Sequence, residues 1–383
     1  MEGKRDHFLE FIRHTLIHHD ESSIKELEIY IEECDFDIKN EWVTIAVQHN
    51  VEKLALHGLV EDQQLPGCLF KCSSLITMNL VTENLLLKWP MDSAMPNLKN
   101  LKIDSVILSE ENFILDLSSS CPALESLSLT LCNVMTVKVL SISSGRLKCL
   151  FIAGCQGITE CFVKLDTPRL EHFFYMDFVA RDYSFTNMSS LSLGCVWLGD
   201  GHQMQQRDDY SRCAIKVFQA LCNGKHLTFN QPFMEFLSRA HYVWRQLTAI
   251  SLDKLEGLTL YLWPTKEQVQ MALLLLGRCP RIRALIIDFA RSEGRLPDVL
   301  DQDVEFGNLA SPLMFEQLTY IRIENFGGYK SEMELARVLF ENAPDTGKME
   351  IVTELSLTST ERKLKMAEIL MLKGASNVNL HIT

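Results

Sequence analysis

The sequence predicts an α/β fold, a leucine-rich-repeat solenoid with a curved parallel sheet and helices on its convex side. Three observations predict it: an apolar signature recurs about every two dozen residues, it alternates as strands do, and helical stretches separate its later copies. The signature Leu-x-x-Leu-x-Leu reads Val51, Leu54, Leu56; Leu75, Met78, Leu80; Leu98, Leu101, Ile103; Leu124, Leu127, Leu129; Leu147, Leu150, Ile152; and Leu170, Phe173, Tyr175. Successive first positions differ by 24, 23, 26, 23 and 23 residues, inside the roughly 20 to 29 expected of such repeats.

Ahead of the repeats, Phe8, Phe11, Ile12 and Leu16 recur at helical spacing, so residues 6–19 predict an amphipathic helix with its apolar stripe toward the array. His18 and His19 near its end suit the helix dipole, which with His14 reads more simply than a metal site. Residues 23–31 alternate Ile24, Leu27, Ile29 and Ile31 with charge and predict the first strand. Residues 39–50 carry Trp42, Val43, Ile45, Ala46 and Val47 as a helical stripe that ends at Asn50. Residues 1–50 thus form a cap, residues 51–310 the irregular repeats, and residues 311–383 a closing module. Met95-Pro96 and Cys121-Pro122 mark turns within the tight array.

Beyond residue 176 the beat loosens to Met188, Leu191, Leu193; a weak unit at Leu227 and Phe229; Leu247, Ile250, Leu252; Ile282, Leu285, Ile287; Leu318, Ile321, Ile323; and Val352, Leu355, Leu357. The last three steps are 35, 36 and 34 residues, which leaves room for helices at 268–276, 333–341 and 362–372. Two polar inserts, 199–212 and 291–308, predict exposed mobile loops.

Side chains alternate across a strand, so the positions between the inward leucines line an exposed concave sheet. They are Lys53, Ala55, His57, Thr77, Asn79, Asn100, Lys102, Asp104, Ser126, Ser128, Thr130, Cys149, Phe151, Ala153, His172, Phe174 and Met176. Most are small or polar. Phe151, Phe174 and Met176 break that pattern, and exposed aromatic and Met side chains mark partner sites. With His172, Lys102 and Asp104 they form the candidate partner-binding set.

Composition narrows the function. The chain has 383 residues and a formal charge of -13, so its field repels phosphate backbones and anionic lipid, and neither nucleic acid nor membrane is an expected partner. Acidic Asp6 and Glu10 break any signal peptide, and the aliphatic run 271–276 is far short of the roughly 20 residues that span a bilayer, which leaves cytoplasm or nucleus. Twelve scattered cysteines read as reduced thiols; Cys149, Cys155 and Cys161 are six apart, whereas zinc ligands come in pairs two to four apart. The segment Gly199-Asp-Gly201 lacks the rest of a phosphate loop, and no His-Glu-x-x-His or Gly-x-Ser-x-Gly occurs. The chain reads as a binding protein with no cofactor and no enzymatic activity.

Several segments resemble the plant F-box/LRR-repeat proteins of the F-box/FBD/LRR type. These are the Phe-rich stretch 8–16, Ser22-Ser-Ile-Lys-Glu-Leu-Glu-Ile29, the Trp42–Leu56 segment, Leu65-Pro-Gly-Cys-Leu-Phe-Lys-Cys-Ser-Ser-Leu75, Pro96-Asn-Leu-Lys-Asn-Leu101 and Cys121-Pro-Ala-Leu-Glu-Ser-Leu127. At the other end, residues 315–328, Leu339-Phe-Glu-Asn-Ala-Pro344 and Ala375-Ser-Asn-Val-Asn-Leu380 resemble the FBD module that closes such proteins. The resemblance implies a repeat surface that holds a protein or peptide substrate for a cullin-type ubiquitin ligase. Family members carry an F-box ahead of the first helix that docks the ligase adaptor; its expected absence here makes the adaptor an unexpected partner. A repeat receptor with a small molecule held under residues 199–212 is the alternative reading.

Overall fold

Period-two alternation becomes strand at every early repeat in the computed structural model, which describes residues 10–11, 14–15, 22–30, 36–60, 64–90, 92–108, 117–199, 208–239, 247, 249–289, 315–344, 347–374 and 376–383. The chain divides into two units, Met1–Leu170 with Ala180–Met188, and Glu171–Val179 with Ser189–Thr383.

In the first unit, β1 (Glu26–Tyr30) leads into helix α1 (Phe36–Gln48), which buries Trp42, Val43, Ile45 and Ala46. The left-handed Asn50 (φ 55°) then turns the chain into β2 (Lys53–Val60). There follow β3 (Thr77–Leu86), β4 (Asn100–Ile107), β5 (Ser126–Thr130), β6 (Val139–Ser143), β7 (Cys149–Ala153) and β8 (Phe162–Asp166). Strands β1-β2-β3-β4-β5-β7 make one parallel sheet in that order. Its register stacks Leu54, Met78, Leu101, Leu127 and Leu150 in one row and Leu56, Leu80, Ile103, Leu129 and Ile152 in another, each at most 2% exposed.

Opposite that sheet the expectation of convex helices gives way. Strands β6, β8 and β10 (Asp182–Thr186) form a second parallel sheet with β8 in the middle, and single 3-10 turns at Leu69–Lys71 and Ile158–Glu160 fill other linkers. A repeat of about 23 residues spends its length on one strand, one turn and one short return, and leaves too little chain for a full helix. Leu140, Ile142, Val163, Leu165 and Tyr183 bury from these return strands. The thiols of Cys132 and Cys155 donate to the carbonyls of Ile103 (3.7 Å) and Leu129 (3.9 Å) in the preceding repeat, as core cysteines do.

The second unit pairs β9 (His172–Asp177), β11 (Leu193–Leu198), β12 (His226–Phe229), β13 (Gly257–Tyr261), β14 (Ala284–Asp288), β15 (Tyr320–Phe326), β16 (Lys348–Thr353) and β17 (Asn379–Ile382), all parallel and in that order. Here the connections are long enough for helices: α2 (Asp208–Leu221), α3 (Gln231–Arg239), α4 (Lys266–Leu276), α5 (Lys330–Asn342) and α6 (Ser359–Lys373), each packed on the next. Thr265 caps α4, and Thr358 with Glu361 caps α6 reciprocally. The buried Glu332 carboxylate in the first turn of α5 accepts N–H bonds from Gly327 (2.9 Å), Gly328 (2.7 Å) and Tyr329 (3.2 Å).

Three expected frames shift. Leu191 takes the first leucine position, Gly194 the second and Val196 the third, so Leu193 lies on the outward face. Leu247 and Leu252 are buried, but outside a strand; the strand uses Leu255, Leu258 and Leu260. Leu355 is 87% exposed in a turn, while Met349 and Ile351 fill the core. The even late beat near 35 residues was therefore an artefact of frame: from Leu227 the inward row runs through Leu258, Leu285, Ile321, Met349 and Leu380 at uneven steps.

Two further expectations change. Glu10, Phe11, His14 and Thr15 are helical, but Phe11 is 66% exposed rather than turned into the array; His18, His19 and the rest of that segment lie outside the described residues. Residues 208–212, expected as loop, begin α2, where Ser211 is buried and the Tyr210 ring lies 5.3 Å from Phe236. Residues 200–207 and the 291–308 insert lie outside the described residues.

Two stability predictions follow from this packing. Leu127→Ala is expected to cost about 2 to 5 kcal/mol in urea unfolding, because a wholly buried ladder position leaves a cavity. Gly157→Ala is expected to lower the melting temperature as well: Gly157 has φ 88° and an added Cβ would lie 2.6 Å from the Met135 Cα. A melting curve unchanged from wild type would contradict the second expectation.

Candidate functional site

The outward rows are the side-chain faces that the strands turn away from the core, and each unit has its own. In the first unit the register aligns Glu28, Ala55, Asn79, Lys102, Ser128 and Phe151, with Tyr30, His57, Val81, Asp104, Thr130 and Ala153 in the next outward row. At one end Tyr30 stacks on His57 at 4.3 Å, and His57 lies 3.1 Å from the Glu28 carboxylate. Further along, Asp104 accepts from Thr130 (2.5 Å) and Ser105 (2.9 Å), while Lys102 stands 3.7 Å away. Lys102 is exposed, and Phe151 is half-buried opposite Ser128.

The face of the second unit begins with His172, Phe174 and Met176 on β9, opposite Leu193, Cys195 and Trp197 on β11. His172 and Met176 are exposed and Phe174 is half-buried. Beyond β12, the ladder carries Thr259 and Tyr261, then Ile286 and Asp288, then Arg322 and Glu324, with Glu350 opposite Arg322. One half of this face is therefore aromatic and apolar, and the other is charged.

The charged half is a closed network. Arg322 donates to Glu324 and, at 3.0 Å, to Glu350, which also receives the Tyr320 hydroxyl at 3.0 Å and the Lys348 ammonium. Asn325 donates to Asp288 at 2.7 Å. Lys348, then Tyr320, hold the Glu350 carboxyl down at about 2, and Glu324 foremost raises the Arg322 guanidinium above its ordinary value.

Sequence reasoning named Phe174 and Met176 but missed Trp197, because the glycine at the second leucine position hid the frame of that strand. Tyr261 was missed with the misplaced strand at 247–252. Asp288, Arg322 and Glu324 were legible, since their repeats were framed as the structure has them and the outward alternation simply continues past residue 176.

Burial pushes the Cys121 thiol up to about 11 and raises those of Cys149 and Cys195, so they are weak nucleophiles near neutral pH. Among the described residues no group of three or more His, Cys, Asp or Glu could hold a metal ion, and no helix is long and apolar enough to cross a membrane.

Two parallel ladders with inward Leu-x-x-Leu-x-Leu positions define a leucine-rich-repeat protein of the α/β kind. Residues 39–198 match the family described as FBD-associated F-box protein At5g56370, LRR repeats. Over 311 residues, 75% of this chain and 66% of the relative, the chain is 26% identical to F-box/FBD/LRR-repeat protein At2g26030 of Arabidopsis thaliana. It is 25% identical to Putative F-box protein At3g58860 of the same plant over 92% of this chain and 77% of the relative, and 23% identical to FBD-associated F-box protein At5g22730 over 81% and 67%. The chain is thus similar to plant F-box/FBD/LRR-repeat proteins, the likeness its motifs suggested.

The charged network gives a pH prediction. Because Glu350 is held below its usual value of 4.5, it stabilises the fold above that pH, and the contribution fades as pH falls toward about 2. In urea unfolding at a series of pH values, wild type should lose its stability advantage over Glu350→Gln across that window. An advantage independent of pH would contradict the assignment.

Proposed function

We propose that this chain is a protein- or peptide-binding scaffold, the substrate-recognition part of a cullin-type ubiquitin ligase, acting in the cytoplasm or nucleus. It binds rather than catalyses. Lys102, Asp104 and Phe151 carry contacts on the outward face of the first unit, and His172, Phe174 and Met176 on that of the second. In this reading residues 1–50 cap the array, residues 51–310 supply the repeats and residues 311–383 form an FBD-like closing module.

The observation that carries the proposal is the composition of the outward rows. They are mostly small or polar in the first unit, whereas the second unit opens with Phe174 half-buried and Met176 38% exposed. Aromatic and Met side chains on a rigid sheet offer contact area with little entropy to lose on binding. The names of the Arabidopsis relatives support the ligase part of the reading.

Phe174→Asp is expected to leave the melting temperature near that of wild type and to abolish capture of a protein partner by the purified chain. A large drop in melting temperature would instead make Phe174 a core residue. With an F-box placed upstream, the captured partner is expected to be ubiquitinated in a reconstituted ligase reaction; a partner that stays unmodified would remove the ligase part of the reading.

A further inference from the structure

The second unit ends on an open edge. A repeat array buries each unit against the next, so its last unit needs a polar outer side. Here the last strand is β17, paired with β16, and among the described residues no strand lies beyond it. Asn379 N–H donates to the Gly347 carbonyl (2.9 Å) and Thr383 N–H to that of Ile351 (3.0 Å), so residues 379, 381 and 383 bond toward β16. By alternation the N–H and C=O groups of Leu380 and Ile382 point to the free side. Neither lysine nor proline blunts this edge. The Leu380 and Ile382 side chains are half-buried, whereas Met349 and Ile351 beside them on β16 are wholly buried.

Helix α6 continues the open side. Ile369 is its one buried residue. Lys365 reaches the Gly328 carbonyl (3.1 Å) just ahead of α5, which marks the side turned to the array. At about 100° per residue, Leu364, Ala367, Leu370 and Met371 fall on the other side. Ala367 is exposed, and Leu364, Leu370 and Met371 are each more than half exposed. The carboxylates of the helix are bonded within the chain: Glu361 accepts from Thr358 (2.7 Å) and Glu368 from Lys365 (3.1 Å). Residues 359–383 hold four Lys or Arg and two Glu, so the acidic excess of a chain at -13 lies elsewhere.

This end is complementary to itself. Antiparallel strands exchange N–H and C=O bonds at alternate positions. A two-fold axis through His381 sets Leu380 opposite Ile382 of the partner subunit and satisfies every free backbone group of both edges. Such an axis stands perpendicular to the sheet, so both helix layers lie on one side and the two α6 helices run antiparallel, apolar side to apolar side. Two chains of charge -13 repel each other, least where neither presents acidic excess. Leu364, Leu370, Met371 and Leu355 in the turn ahead of the helix together offer on the order of 500 Å² of apolar surface. The strand edges and flanking polar groups raise that toward the roughly 800 Å² that each partner gives to a stable interface.

We propose that the chain forms a two-fold dimer through β17 and α6, with the two sheets joined antiparallel across His381.

Sedimentation equilibrium of the full chain is expected to show a monomer–dimer equilibrium. Met371→Asp and Ile382→Pro are each expected to weaken it about tenfold, the first by placing charge in the apolar contact, the second by removing an N–H that no bond within the chain uses. Met135→Asp, at an exposed apolar side chain of the first unit, should leave it unchanged. On mild oxidation His381→Cys should link the two copies and Asn379→Cys should not, because a non-hydrogen-bonded cross-strand pair has Cα atoms about 4.5 Å apart, within disulfide range. A chain that stays monomeric at about 100 μM would overturn the proposal. So would an open series of larger oligomers, since a two-fold contact closes. Indifference to Met371→Asp, an equal loss on Met135→Asp, or cross-linking through Asn379→Cys in place of His381→Cys would overturn it too. Melting curves of the dilute variants separate loss of the contact from loss of the fold, and Met371→Asp decides the matter if Ile382→Pro unfolds.

Discussion

The parallel backbone ladder is the constraint on which everything else in this protein depends. Each strand lends its N–H and C=O groups to the strands beside it, and the pairing within each unit keeps equivalent positions opposite one another: Leu54 with Met78, Leu101 with Leu127, Leu258 with Leu285, Ile321 with Met349. Buried polar groups of the backbone cannot go unpaired cheaply, so a repeat that slipped would forfeit its hydrogen bonds and turn its leucines outward together. That double penalty holds the outward rows in line, and an ordered outward row is what the proposed function requires.

The ladder leaves the return path free, and the two units use that freedom differently. Where the linker is short the chain comes back as β6, β8 and β10; where it is longer it comes back as α2, α3, α4, α5 or α6. Irregular spacing is thus absorbed away from the sheet, and the inward row of the second unit stays in register through Gly194, Leu227 and Leu258 despite unequal steps. Even glycine is tolerated at position 194, because Leu221 and Leu227 side chains close on it and a Cβ there would meet Leu227 at 2.9 Å.

Legibility in the sequence followed side-chain size only where no second apolar run competed. At Leu124, Leu127, Leu129 and at Ile282, Leu285, Ile287 the frame and the inward residues were right, whereas at the equally large Leu255, Leu258 and Leu260 the apolar run at 247–252 drew the frame away. It failed at Gly194, which offers no apolar signal, and at Leu247 and Leu355, where apolar residues mimic the spacing without pairing. The convex layer was read as helical throughout because periodicity reports only that apolar residues are buried; Leu140, Ile142, Val163 and Leu165 bury as well from short strands as they would from a helix. For the candidate surface, Lys102, Asp104, Phe151, His172, Phe174 and Met176 were placed outward by alternation alone.

Alternation and spacing, both properties of the chain read one residue at a time, determined by themselves that this protein is a parallel repeat array and which face of its well-framed strands points outward. Only the tertiary structure decided which outward residues become neighbours. Trp197 and Tyr261 are 64 positions apart in the chain and two strands apart in the sheet, and they meet because β12 stops short of their row while Asn230 turns back to Leu198. The length of one strand relative to its neighbours is set by hydrogen bonds across the sheet, and no local pattern of residues carries that information.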